Sequence, residues 1–187
     1  MSLEASAFTA DATPIPRDEF VRAAAVAGWV LRPVQGIFDP ARFGTVSGGA
    51  ITKGDYYYGW RAGDRRAGEY ARPLAGRRVE QLEAWAREDP EGGLGAAFIH
   101  TCLYGHEYTA DEEAELAAET GPEYIAAMRS AELEYLVDLH ATNDDFRLDL
   151  ARLICWLRGG LWVDHLSGDW GVEPAEPRRT SGRGGGK

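Results

Sequence analysis

Apolar residues recur along the chain at helical and at strand spacings, and the alternation of the two predicts the elements. Pro14 and Pro16 lead into Arg17-Asp18-Glu19, where two acids favour the first turn of a helix. Phe20, Ala24 and Ala27 then share a face, and Gly28 is a natural stop. Trp29-Val30-Leu31, closed by Pro33, predicts a short strand. Thr45-Val46-Ser47 and Ala50-Ile51-Thr52 bracket Gly48-Gly49 as a hairpin would, and Lys53-Gly54-Asp55 is a second turn. The aromatic run Tyr56-Tyr57-Tyr58-Gly59-Trp60 is strand-prone, and alternation places Tyr57 on the face opposite Tyr56 and Tyr58. Residues 29–62 thus predict a small antiparallel sheet of three or four strands.

Helical spacing prevails afterwards. Val79, Leu82 and Ala86 mark one helix, ended by Asp89-Pro90. Ala96 to Tyr104 is largely apolar and fits a helix or a buried strand, which periodicity does not decide. Thr109-Ala110-Asp111-Glu112 has the spacing of a capping box. Thr120-Gly121-Pro122-Glu123 opens a longer helix with Met128, Ala131, Tyr135 and Leu139 as its inner stripe. Thr142-Asn143-Asp144-Asp145 starts a third, with Phe146, Leu150, Leu153 and Leu157 on one face and Gly159-Gly160 at its end. Leu161 to Trp170 packs back on the core, and no internal repeat is present.

The fold class expected from this pattern is α+β: an N-terminal helix plus a small antiparallel sheet, followed by a mainly helical C-terminal half. Residues 1–13, small and polar, are expected to be a flexible N-terminus. Residues 14–172 form one α+β domain, with a sheet lobe over about 14–75 and a helical lobe over about 76–172. The Pro-, Arg- and Gly-rich residues 173–187 are expected to be a disordered basic tail.

Composition narrows the class. With 187 residues, 44% of them hydrophobic and 27% charged, the chain can build one core without disulfides or metal. Cys102 and Cys155 read as two reduced thiols. The apolar run Ala23 to Val30 is short for a secretion signal and has Asp18 and Glu19 just upstream, and no stretch approaches the ~20 apolar residues of a membrane span. The expected location is the cytoplasm.

Charge is the most informative feature. Residues 1–90 hold twelve acids and twelve bases, whereas residues 91–187 hold eighteen acids and eight bases. Within 107–149, thirteen acids face only Arg129 and Arg147, a net charge of −11. The last eleven residues carry +4. Such a field repels nucleic-acid backbones and suits a basic protein partner, whose encounter it would accelerate.

His100, Cys102 and His106 offer three potential zinc ligands in seven residues. On a strand His100 and Cys102 would share a face; a fourth ligand would have to come from Cys155, His140 or His165. Cys102 or Cys155 with His140 or His165, oriented by Asp138 or Asp164, makes a formal nucleophilic triad, although Cys155 between Ile154 and Trp156 reads as packing. A buried Cys102 between two partly exposed histidines is the plainer expectation. Neither Gly-x-Ser-x-Gly nor a phosphate-binding glycine motif occurs. Glu115 and Glu119, like Glu134 and Asp138, are spaced four apart and share a face, which a solvated acidic surface explains without catalysis.

The function expected from the sequence is a non-enzymatic acidic binding protein, an inhibitor or immunity-type protein that blocks a basic partner such as a toxin nuclease. No cofactor, membrane or direct nucleic-acid contact is expected, and a homodimer is compatible with the pattern. The partner-binding residues would be Asp111, Glu112, Glu115, Glu119, Glu123, Glu134 and Asp138, joined by Tyr56, Tyr58 and Trp60 if these are exposed. One alternative is a metal protein or cysteine/histidine enzyme centred on His100, Cys102 and His106. Another is a nucleic-acid mimic that occupies a DNA-binding groove.

Overall fold

A computed structural model describes residues 4–36, 44–51, 55–70, 84, 93–141 and 144–174. Its centre is a single antiparallel sheet. The strands are β1 (Glu4–Thr9), β2 (Trp29–Gln35), β3 (Gly44–Thr45), β4 (Asp55–Arg61), β5 (Leu94–Leu103), β6 (Leu133–Ala141), β7 (Gly160–Asp164) and β8 (Trp170–Glu173). They lie in the order β3-β2-β4-β5-β6-β1-β7-β8, every neighbouring pair antiparallel. The helices given among the described residues are α1 (Arg17–Val26), the short α2 (Ala67–Tyr70), α3 (Ala110–Thr120), α4 (Pro122–Ser130) and α5 (Asp144–Arg158).

This corrects the expected fold class. The sheet has eight strands, and the C-terminal half is not mainly helical, because it supplies β5 to β8. The long helix expected from Thr120 ends at Ser130, and Ala131 is already extended, with φ −72° and ψ 136°. Tyr135 and Leu139 follow Ala131 at intervals of four, a spacing that both a helix and a strand place on one face. Leu133, Tyr135 and Val137 are buried and alternate with half-buried Glu134, Leu136 and Asp138, so the period is two. Ala96 to Tyr104, ambiguous in sequence, is largely β5, and Leu161 to Trp170 supplies β7 and the start of β8.

The expected flexible N-terminus is also corrected where it is described. Glu4–Thr9 is β1, paired with β6 on one side and β7 on the other. Ala5 and Ala7 are fully buried on the face that α5 covers. Small side chains suit an interior strand beneath a helix, although composition alone reads them as loop. The expected hairpin around Gly48-Gly49 reduces to β3, with both glycines at left-handed φ of 67° and 68° and Ala50 bridged to Pro16. The helix expected around Val79 to Ala86 lies, apart from helical Ala84, outside the described residues; of the tail expected over 173–187, Glu173 instead ends β8, and residues from 175 onward lie outside the described residues.

Other expectations agree with the structure. α1 buries Phe20 and Ala24 and ends before Gly28 at φ 87°. α5 buries Phe146, Leu150, Leu153 and Leu157. The tyrosines of β4 split as alternation requires: Tyr57 joins the core under α1 and α5, while Tyr56 and Tyr58 join a second core on the other face. Burial on both faces explains the continuous apolar run Leu94 to Ile99.

Two glycines admit α5 to the sheet. Gly59 on β4 and Gly95 on β5 are register partners. A Cβ at Gly95 would lie 2.5 Å from Phe146 Cδ1 and 2.7 Å from its Cβ; one at Gly59 would lie 2.6 Å from Leu31 Cδ2 and 3.0 Å from Phe146 Cε2. The phenyl ring of Phe146, fully buried, fills this notch and meets Trp29 edge-on at 4.7 Å. On the opposite face α4 buries Met128 against Phe8, Leu161 and Val163, and α3 packs on α4.

Candidate functional site

The site is built on α3. Thr109 is its N-cap: Thr109 Oγ1 accepts from the Glu112 amide at 3.3 Å, and Glu112 Oε2 accepts from the Thr109 amide at 2.8 Å, the reciprocal pair that the spacing predicted. These bonds, from the Thr109 amide first and then its hydroxyl, hold the Glu112 carboxyl below its usual range. Gly121, at φ 96°, turns the chain, and Pro122 opens α4.

α3 has little apolar surface of its own. Its one buried residue is Glu113, with Leu116, Ala117 and Thr120 half-buried. Arg129 of α4 donates to Glu113 through Nε at 2.9 Å and through a second nitrogen, and His106 Nε2 approaches its Oε1 at 2.5 Å. The bonds from Arg129 and then from His106 hold the Glu113 carboxyl at about 2. A charged fork therefore fastens α3 to the body.

Among the described residues this arrangement leaves the outer surface of α3 acidic. Asp111, Glu112, Glu115 and Glu119 on α3 and Glu123 at the start of α4 are all exposed. From residue 107 to 132 the sequence holds eight acids and a single base, Arg129, whose charge Glu113 already engages. Two exposed apolar side chains adjoin the acidic segment in sequence: Leu103, 84% exposed at the end of β5, and Tyr108, 45% exposed just before α3. The rings of Tyr104, His106 and Tyr108 follow one another at centroid distances of 6.4 and 5.4 Å. Burial, and then the negative charge of Tyr108 and Glu134, pushes the Tyr104 hydroxyl up to about 12.

The remaining expected residues lie elsewhere. Glu134 and Asp138 are on β6 rather than on a helix, half-buried, across the ladder from Cys102 and Phe98. Glu134 accepts from the Ser6 hydroxyl at 2.9 Å, and His165 Nε2 lies 2.9 Å from the same hydroxyl. Ser6 was missed in sequence, since a serine between alanines carries no motif. Fully buried, it joins β1, β6 and the turn after β7. Tyr56, Tyr58 and Trp60 are 1, 2 and 3% exposed, so they are core and not part of an exposed partner surface. Tyr56 meets Phe98 edge-on at 4.7 Å.

His100 and Cys102 share a face of β5, as a strand requires, but His106 lies beyond the strand and faces Glu113. Among the described residues no three His, Cys, Asp or Glu side chains converge so as to hold a metal. Cys102 is exposed rather than buried, within 3.9 Å of the Glu134 carboxylate. Cys155 is fully buried, and burial pushes its thiol far above the usual range, which disfavours the nucleophilic thiolate. No known protein-family model matches the chain, and comparison with curated proteins and with solved structures finds no match in either.

Proposed function

We propose that the protein is a non-enzymatic binding protein of the inhibitor type, which docks a basic protein partner on the outer face of α3. The observation that supports this reading is the disposition of charge. Five exposed carboxylates lie on α3 and at the start of α4, and the guanidinium of Arg129 is engaged by a sixth, Glu113. A one-signed surface steers a partner of opposite sign and raises its association rate. Leu103 and Tyr108 would supply the apolar contact that charge alone lacks.

The test is capture of partners by the wild type and by Glu115→Lys/Glu119→Lys, at low and at moderate salt. This pair spares Glu112, whose reversal would also break the helix cap. Exposed ion pairs contribute ~0.2–1 kcal/mol each, so reversing two carboxylates should weaken binding by about tenfold. A basic protein held at low salt by the wild type and lost by the variant is expected. Capture that charge reversal and salt leave unchanged, or no capture at all, would overturn the proposal. If DNA displaced the captured protein, the nucleic-acid mimic reading would replace the inhibitor reading.

A further inference from the structure

A groove of about 520 Å³ opens between α1 and α5, on the face of the sheet opposite α3 and α4. Its size is that of a small-ligand site. The apolar wall includes Val26, Leu153 and Trp156. Val26, in the last turn of α1, is 80% exposed, an apolar side chain that the fold itself does not bury.

Four charged residues line the groove: Arg61, Asp149, Arg152 and Glu173. Two of them satisfy each other. Arg61 donates to Asp149 Oδ2 at 2.8 Å, the Trp29 indole donates to the same oxygen at 2.8 Å, and the Arg61 guanidinium lies 4.2 Å over the Trp29 ring. The other two are of opposite sign, and among the described residues neither is in an ion pair. Arg152 rests 4.3 Å over the Trp162 ring, which holds its guanidinium in place while leaving its donors open, and Glu173 ends β8 at the same groove.

A ligand that uses this wall completely carries one carboxylate, one ammonium and an apolar body. We propose that the groove binds a zwitterion of the amino-acid or short-peptide class with a large apolar side chain. The carboxylate pairs with Arg152, the ammonium with Glu173, and the side chain lies against Leu153 and Trp156. A purely anionic ligand would meet Glu173, and a purely cationic one would meet Arg152.

The test is NMR titration of the full chain with two probes, phenylalanine and the dipeptide Leu-Phe, read at the Trp156 indole and the Arg152 and Glu173 amides. At about 10 mM even a ligand with millimolar Kd is mostly bound. Comparing the probes separates a free amino acid from a peptide terminus. At least one should shift the groove resonances, and its N-acetylated and C-amidated forms should bind about tenfold more weakly. Arg152→Gln should abolish the preference over the amide, and Glu173→Gln the preference over the acetylated form. Both positions are solvent-accessible, and unchanged spectra elsewhere would show that the variants fold. No shift with either probe, or capped forms that bind as well as free ones, would overturn the proposal.

Discussion

The glycine notch under α5 gives the sharpest test of the packing. Gly95→Ala adds one methyl group on the buried face of β5, where it would lie 2.5 Å from Phe146 Cδ1 and 2.7 Å from Phe146 Cβ. The clash is with the root of the ring and not with a flexible tip, so relief requires α5 to move off the sheet. Overpacking a dense core costs about 1–3 kcal/mol, and contact this close to the helix backbone places the cost near the top, about 3 kcal/mol. For a chain of this size that lowers Tm by about 6–12 °C. Phe146→Ala should cost about 3–5 kcal/mol by leaving a cavity beside Trp29. The two changes must couple, because the methyl has room once the ring is gone. The double variant should be more stable than the sum of the single effects implies, by about 2–3 kcal/mol. Urea denaturation of the four proteins measures all three quantities. A Gly95→Ala protein within about 0.5 kcal/mol of wild type, or single effects that add within about 0.5 kcal/mol, would refute the notch.

Three further outcomes are expected. Glu113 has its folded carboxyl at about 2 against an ordinary 4.5, so its contribution is complete above about 4.5 and is lost as pH falls from there through about 2. NMR resonances of α3 should show that helix loosening across this window, and Glu113→Gln should loosen it already at neutral pH. Arg147 and Asp164 form a buried pair at 3.0 Å; Arg147→Leu removes the counter-charge and leaves the carboxylate only its bonds from the Leu166 amide and the Ser167 hydroxyl, so it should cost about 3 kcal/mol in the same denaturation assay. A thiol reagent should label one equivalent, Cys102, in the native protein and a second, Cys155, only in denaturant; rapid native labelling of both would contradict the burial of α5.

What was legible in the sequence was local. The capping box at Thr109, the stop at Gly28 and the apolar face of α5 are each fixed by chemistry within a few residues. The sheet was not, because its pairings are distant: β1 lies between strands that begin more than one hundred residues later. β6 reads as helix in sequence because Ala131, Tyr135 and Leu139 stand four apart, a spacing common to periods of two and 3.6. Of the candidate site, the exposed acids of α3 were legible from charge alone, and their helix from its cap. The role of Glu113 was not, since nothing in its local sequence distinguishes it from Glu112; its partners, His106 and Arg129, come from outside α3. The burial of Tyr56, Tyr58 and Trp60 was not legible either, since they pack with Val34 of β2 and with Leu94, Ala96 and Phe98 of β5, neighbours that the sequence places far from β4.

The central claim, that the outer face of α3 binds a basic protein by charge, is tested most directly by the salt dependence of affinity. The captured partner, once purified, would be titrated against wild type and Glu115→Lys/Glu119→Lys over a range of ionic strength. Wild-type affinity should fall steeply as salt rises, with a much flatter slope for the variant. Equal slopes for the two proteins would contradict the claim.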